Sequence, residues 1–187
     1  MFSGCGIVIV DADVAARKIV EPGQPALDEI ARCFGQHLLV DGQLNRQALR
    51  EIVFANADSR KKLEGITHPR IRQLLMQESA AASSPYAIVA IPLLAEGTRE
   101  HYGWLNRILL VDASREIQKK RLLERDQINE YLADKMLDAQ ANRQQRLAIA
   151  DDVISNMHDL NSLKNCVARL DKRYRDLAAK ASLAKTC

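Results

Sequence analysis

Two carboxylates set two residues apart, Asp11 and Asp13, follow the apolar run at 7–10. Side chains of an extended segment alternate with period two, so both acids of such a pair face the same way. Paired carboxylates at a strand end can hold magnesium through water or take the proton of an attacking hydroxyl. The alternative is a strand end with solvated acids, Asp13 capping a helix over 14–19. Further along, Arg121 and Arg125 stand at i, i+4 and Arg143 and Arg146 at i, i+3, so each pair shares a helix face. A guanidinium fork matches phosphate geometry and stabilises charge on a transferring phosphoryl group, whereas the plain reading of each pair is a solvated helix surface.

These side chains need a frame. Runs at 7–10, 87–91 and 108–111 are continuous in Val, Ile, Leu and Ala, and 153–154 is a weaker fourth. Continuous rather than alternating apolar runs indicate strands buried on both faces of a parallel sheet. Helical patterns lie between them, which gives an α/β fold with helices on both sides. Ligands of such sheets sit at the carboxyl ends of the strands. There the polar residues gather: Asp11 and Asp13, then Glu96, Asp112 and Asn156.

The stretch between the first two strands is too long for one crossover helix. Pro25 starts a helix with Leu27, Ile30, Ala31 and Phe34 on one face, and Gly35 stops it. Asn45 caps a second with Leu49, Ile52 and Val53, and Asp58 a third containing Leu63. Pro69 suits the first turn of a fourth, with Ile71, Leu74 and Leu75 as its apolar side. This reads as an all-helical insertion of the kind that binds a substrate or closes over one. A second helical stretch, dense in charge, spans 114–150.

The chain has 187 residues, 47% hydrophobic and 27% charged, which suits one domain with an insertion and no disordered bias. No apolar run approaches the ~18 residues of a membrane span and the N-terminus lacks a basic signal flank, so a soluble, cytoplasmic protein with no membrane partner is expected. The net charge of +3 and 4% aromatics disfavour a nucleic-acid partner. Cys5, Cys33, Cys166 and Cys187 are far apart and lack ligand-spaced histidines, so reduced thiols are expected rather than a metal site or disulfides.

Several segments in order carry a specific resemblance. They are V-D-A-D-V-A-A-R (10–17), V-E-P-G (20–23), L-R-E-I-V-F (49–54), T-H-P-R-I (67–71), I-P-L-L-A-E (91–96), K-R-L-L-E-R-D (120–126), A-Q-A-N-R-Q-Q-R (139–146) and A-D-D-V-I-S-N (150–156). Together they resemble dephospho-CoA kinase from residue 2 to about 170. The resemblance implies ATP-dependent phosphorylation of the ribose 3′-hydroxyl of dephospho-CoA, with ATP and Mg2+ required. It implies a P-loop nucleotide-kinase-like parallel sheet (1–20, 83–113 and 148–187), a helical CoA-binding insertion (21–82) and lid helices (114–147).

Carried over by motif, Asp13 is the base or hydroxyl-orienting group, with Asp11 and Arg17 beside it. Arg50, His68, Pro69 and Arg70 fall on substrate-domain motifs, and Pro92, Leu93, Leu94 and Glu96 line the acceptor side. Arg143 reaches phosphate from the lid, supported by Arg121 and Arg125, and Asn156 lies near the adenine.

The sequence departs from the family in one large respect. The strand–GxxxxGK[ST]–helix unit that cradles phosphates is absent from the 187 residues. Gly4-x-Gly6 precedes a strand and meets no Lys before Lys18, so it is neither a P-loop nor a dinucleotide fingerprint. In register, the chain is expected to start inside the family pattern, short by on the order of 20 residues, and to be inactive as given. The strand edges this leaves are compatible with pairing between chains. His158 stands where the family tends to carry glycine. The alternatives are a non-catalytic remnant binding CoA-like ligands or a protein, and a basic-helix nucleic-acid binder.

Overall fold

The structure, a computed structural model, describes residues 1–97, 99–157 and 159–184. His158 and Cys187, singled out above, lie outside them. The chain divides into two compact units, Val8–Ile91 and Met1–Ile7 with the residues from Pro92 onward.

In the first unit, β1 (Val8–Asp11) pairs in parallel with β4 (Ala87–Ala90), Val8 opposite Ala87 and Asp11 opposite Ala90. Ser84 ties the start of this pair: its Oγ accepts from the Val8 N–H at 3.0 Å and donates to the Tyr86 carbonyl at 2.6 Å. The crossover carries α1 (Ala12–Lys18), α2 (Pro25–Phe34), α3 (Arg46–Ala55) and α4 (Ala57–Ala80). As expected, Pro25 opens α2, Gly35 ends it and the Asn45 side chain caps α3, accepting from the Ala48 N–H at 3.1 Å. Ile19, Val20, Ala26, Ile30, Leu38, Leu49 and Ile66 form one buried cluster, flanked by Phe34, Leu63, Ile71 and Leu74.

Three expectations are corrected here. The insertion is not all-helical: β2 (Leu39–Val40) and β3 (Gln43–Leu44) form an antiparallel ribbon. Its Asp41-Gly42 turn has both φ values positive, 50° and 75°, which suits a D-G hairpin. The third and fourth predicted helices are one, α4, which runs through Pro69. Pro69 has no N–H to give the Gly65 carbonyl, at a cost of about 3 kcal/mol in a helix interior. Burial of Ile66 and Leu75 on either side offsets that cost, and the Thr67 hydroxyl and Arg70 guanidinium bond the Leu63 and Ile66 carbonyls at 2.9 and 2.7 Å. The cap of α4 is Asn56, accepting from Asp58 and Ser59, rather than Asp58.

In the second unit, β5 (Leu109–Asp112) and β6 (Asp152–Ser155) are parallel, Asp112 opposite Ser155. The charged stretch between them is three helices, α5 (Arg115–Asp126), α6 (Glu130–Asp138) and α7 (Arg143–Ile149), each with a side-chain cap, from Ser114, Asn129 and Asn142. Helix α8 (Leu160–Ala184) follows β6. Buried Asp152 accepts from Arg107, Arg173 and the Tyr174 hydroxyl at 2.7, 2.7 and 2.9 Å. Arg107 first, against the opposing effect of burial, holds the Asp152 carboxyl below the ordinary carboxylate range. Phe2 stacks on Tyr174 with ring centroids 6.4 Å apart, and Arg175 donates to the Cys5 carbonyl at 2.7 Å, so α8 anchors the first turn of the chain.

The strands are not buried on both faces. Ile9, Val111 and Val153 are 40%, 52% and 49% exposed, because a two-stranded sheet covered on one side leaves alternate residues in solvent.

Candidate active site

Asp11 is the last residue of β1 and, in extended conformation, the N-cap of α1. Its Oδ1 accepts from the Asp13 and Val14 N–H groups at 2.7 and 3.2 Å. Asp13 therefore lies in the helix, not beside Asp11 on one strand face, and it is the capped residue rather than the cap. The physical reason is that an aspartate carboxylate satisfies two otherwise unpaired N–H groups as soon as the chain turns. Asp13 is exposed in the first turn, its carboxylate unbonded among the described residues. Arg17 stands four residues on, on the same helix face.

The residues of the same unit expected to serve the acceptor divide into anchored and exposed. Arg70 donates to Glu29 at 2.6 Å as well as to the Ile66 carbonyl. Arg50, on α3, and His68, on α4, are exposed. Pro69 sits between His68 and Arg70 inside α4. Lys18, not singled out for the site from its type or spacing, closes α1 with an ion pair to Glu78 at 2.7 Å. The hydrogen bond to Glu78 holds its ammonium above the ordinary lysine range.

In the second unit, Arg143 opens α7 and reaches the end of β5. Its Nε lies 3.0 and 3.1 Å from the two Asp112 oxygens, and its Nη2 donates to Oδ2 at 2.7 Å. Asp112 is buried, and the Arg143 hydrogen bonds outweigh burial to hold its carboxyl below the ordinary range. The Arg143 guanidinium is more than half exposed, so a face stays open to a ligand. The Asn156 N–H donates to the Asp112 carbonyl at 2.7 Å, which draws Arg143, Asp112 and Asn156 to one strand end. The Ser155 Oγ beside them is buried without a partner among the described residues. Asp112 is the member that sequence reasoning undervalued, noted as a polar strand end and nothing more. An isolated acid after L-L-V has no helical partner to mark it until α7 folds back.

Glu96 caps the turn before α7, its Oε1 accepting from the Ala141 N–H at 2.8 Å. Pro92 and Leu93 precede the single turn Leu94–Glu96, with Leu93 exposed. Arg121 and Arg125 lie on α5 and Arg143 and Arg146 on α7, each pair on one helix face as the spacing predicts, but the members have separate partners: Arg146 donates to the Ala141 carbonyl. Arg125 grips the adjacent Asp126 at 2.7 and 3.0 Å. Arg121 is exposed and without a hydrogen bond or ion pair among the described residues. No three His, Cys, Asp or Glu among the described residues group as metal ligands.

The dephospho-CoA kinase family model matches residues 1–162. A dephospho-CoA kinase of Xanthomonas axonopodis pv. citri is 53% identical over 176 residues, 93% of this chain and 87% of the relative. One of Xylella fastidiosa is 50% identical over 181 residues, 96% of this chain and 87% of the relative. Among solved structures, TT1252 from Thermus thermophilus superposes with a TM-score of 0.75 at 28% identity, covering 92% of this chain and 87% of that one. The dephospho-CoA kinase from Campylobacter jejuni does so with a TM-score of 0.65 at 27% identity, covering 93% and 88%. The chain is an α/β protein with the P-loop kinase fold, and it belongs to the dephospho-CoA kinase family.

Proposed function

We propose that this chain is built for the last step of coenzyme A synthesis, phosphoryl transfer from ATP to the ribose 3′-hydroxyl of dephospho-CoA. The observation that carries the reading is the family match over residues 1–162, in which Asp13 stands exposed at the first turn after β1. In the proposed reaction the 3′-oxygen attacks the γ-phosphorus, the bond from that phosphorus to the β–γ bridging oxygen breaks, and ADP leaves. Asp13 orients the hydroxyl and takes its proton. Arg143, fixed by Asp112, meets the charge spread over the phosphoryl oxygens. Arg17 and Arg50, exposed on the same unit as Asp13, and His68 beside Arg70 serve the acceptor; Arg121 and Asn156 serve the nucleotide.

The proposed parts are a sheet core, a substrate module in the helices between β1 and β4, and a lid in α5–α7. A cytosolic location suits the small-molecule substrates, and no helix among the described residues is long and apolar enough to cross a membrane. Magnesium enters as part of the nucleotide substrate. Asp11 has committed Oδ1 to two backbone N–H groups and Asp13 alone is a thin donor set, so the residues present do not build a metal site and no step runs through one.

The 187 residues contain no GxxxxGK[ST]. Loss of one preorganised donor costs about 10²–10³ in kcat. This chain by itself is therefore expected to bind dephospho-CoA without turning it over. The match across nearly the whole chain does not favour the remnant reading. Calorimetric titration with dephospho-CoA, with a coupled ADP-release assay on the same sample, tests both halves. Binding without ADP release is the expected result; absence of binding removes the reading, and ADP release removes the need for the loop.

A further inference from the structure

A cleft of about 470 Å³ opens in the Val8–Ile91 unit where the end of α1, the start of α2 and the second half of α4 meet. That is within the ~300–1,000 Å³ range of small-molecule sites. Ile19, Pro25 and Leu74 give the lining apolar surface. The same lining holds Gln24, Gln73 and Gln77, whose side-chain amides make no hydrogen bond among the described residues.

The charges at its rim select against an anion. Lys18 is paired with Glu78 at 2.7 Å and Arg70 with Glu29 at 2.6 Å, while Glu21 adds a third carboxylate against the two cations. A diphosphate would meet net negative charge here. A neutral chain bearing amides and a compact apolar group would find both kinds of partner in this lining.

Resting on the functional reading above, we infer that this cleft holds the pantetheine arm of dephospho-CoA. Gln73 and Gln77 stand one turn apart on one face of α4, about 6 Å along the axis. The arm's two amides are joined by a two-carbon link of comparable length, so each glutamine can pair with one amide while the geminal dimethyl group packs on Ile19, Pro25 and Leu74. Free glutamine amides suit this, since each offers both a donor and an acceptor. The same short helix joins the two ends of the ligand: α1 carries Asp13 in its first turn and Lys18 in its last, about 7.5 Å further along. A substrate with its ribose at Asp13 is thus led along α1 into the cleft.

The test is titration of the chain with dephospho-CoA, alone and with millimolar pantetheine as competitor, for the natural chain and the Gln73→Leu/Gln77→Leu double variant. Both positions are exposed and leucine is a good helix former, so the variant keeps its thermal midpoint. The expected result is that pantetheine weakens apparent dephospho-CoA binding to the natural chain. The double variant should bind dephospho-CoA about tenfold or more weakly, the effect of one to two lost hydrogen bonds, and be insensitive to pantetheine. Unchanged dephospho-CoA affinity in the variant overturns the cleft assignment and leaves the functional reading standing. No dephospho-CoA binding by the natural chain overturns both.

Discussion

At the scale of single residues, the Asp112–Arg143 pair is the best-defined piece of the candidate site. A buried carboxylate gripping an exposed guanidinium at both oxygens fixes the direction of Arg143 while leaving part of it free for phosphate. Because Asp112 has a folded-state pKa below its unfolded value, its contribution is complete above the ordinary carboxylate range and disappears as pH falls through the lower, folded value. In urea unfolding, Asp112→Asn should cost about 2 kcal/mol, the range of hydrogen bonds to charged groups. The gap should be flat from neutral pH down to about pH 4 and shrink only below it. A gap that shrinks between pH 8 and pH 6, or none at all, would contradict this account of the pair. The role of Asp11 has the same local character: D-A-D is visible in the sequence, but which acid caps and which stays free is decided by the backbone turn at Ala12, which spacing does not report.

At the scale of elements, α4 is the clearest case of packing overriding a local signal. Proline disfavours helix in the residue before it, so the sequence reads a break at His68–Pro69. The structure keeps one helix because Leu63, Ile66, Ile71 and Leu74 need a continuous stripe against the cluster around Ile30 and Leu38. Restoring an N–H at that position should then help: Pro69→Ala is expected to raise the urea midpoint, by up to about 3 kcal/mol in stability. A lower midpoint would mean that the proline-dependent backbone is itself required.

The parallel strands, α2 and the cap of α3 were legible because apolar runs, an N-terminal proline and Asn45 are short-range signals. The β2–β3 ribbon had its own signal in Asp41-Gly42, overlooked because only two residues on either side pair. The exposed faces at Ile9, Val111 and Val153 were not legible, since a valine-rich run reads the same whether one face or both are covered. Asp112 escaped for a further reason: its partner lies 31 residues away in the chain, beyond any spacing rule.

At the scale of the whole molecule, the proposed roles fall on two compact units. One unit carries the exposed Asp13 and a cleft suited to the pantetheine arm; the other carries Arg143, Asp112 and Asn156 at a shared strand end. The 187 residues supply no GxxxxGK[ST] cradle for the transferred phosphate, so catalysis is predicted to require one.

The most direct measurement is mass-spectrometric detection of coenzyme A formed from dephospho-CoA and ATP. It would use a chimera in which a strand–GxxxxGK[ST]–helix segment from one of the relatives precedes residue 1. The chimera should form coenzyme A, and Asp13→Asn within it should lower kcat by about 10²–10⁴ while ATP binding holds. A chimera that binds both substrates and turns over equally well with Asn at that position would contradict the central claim that Asp13 serves the reacting hydroxyl.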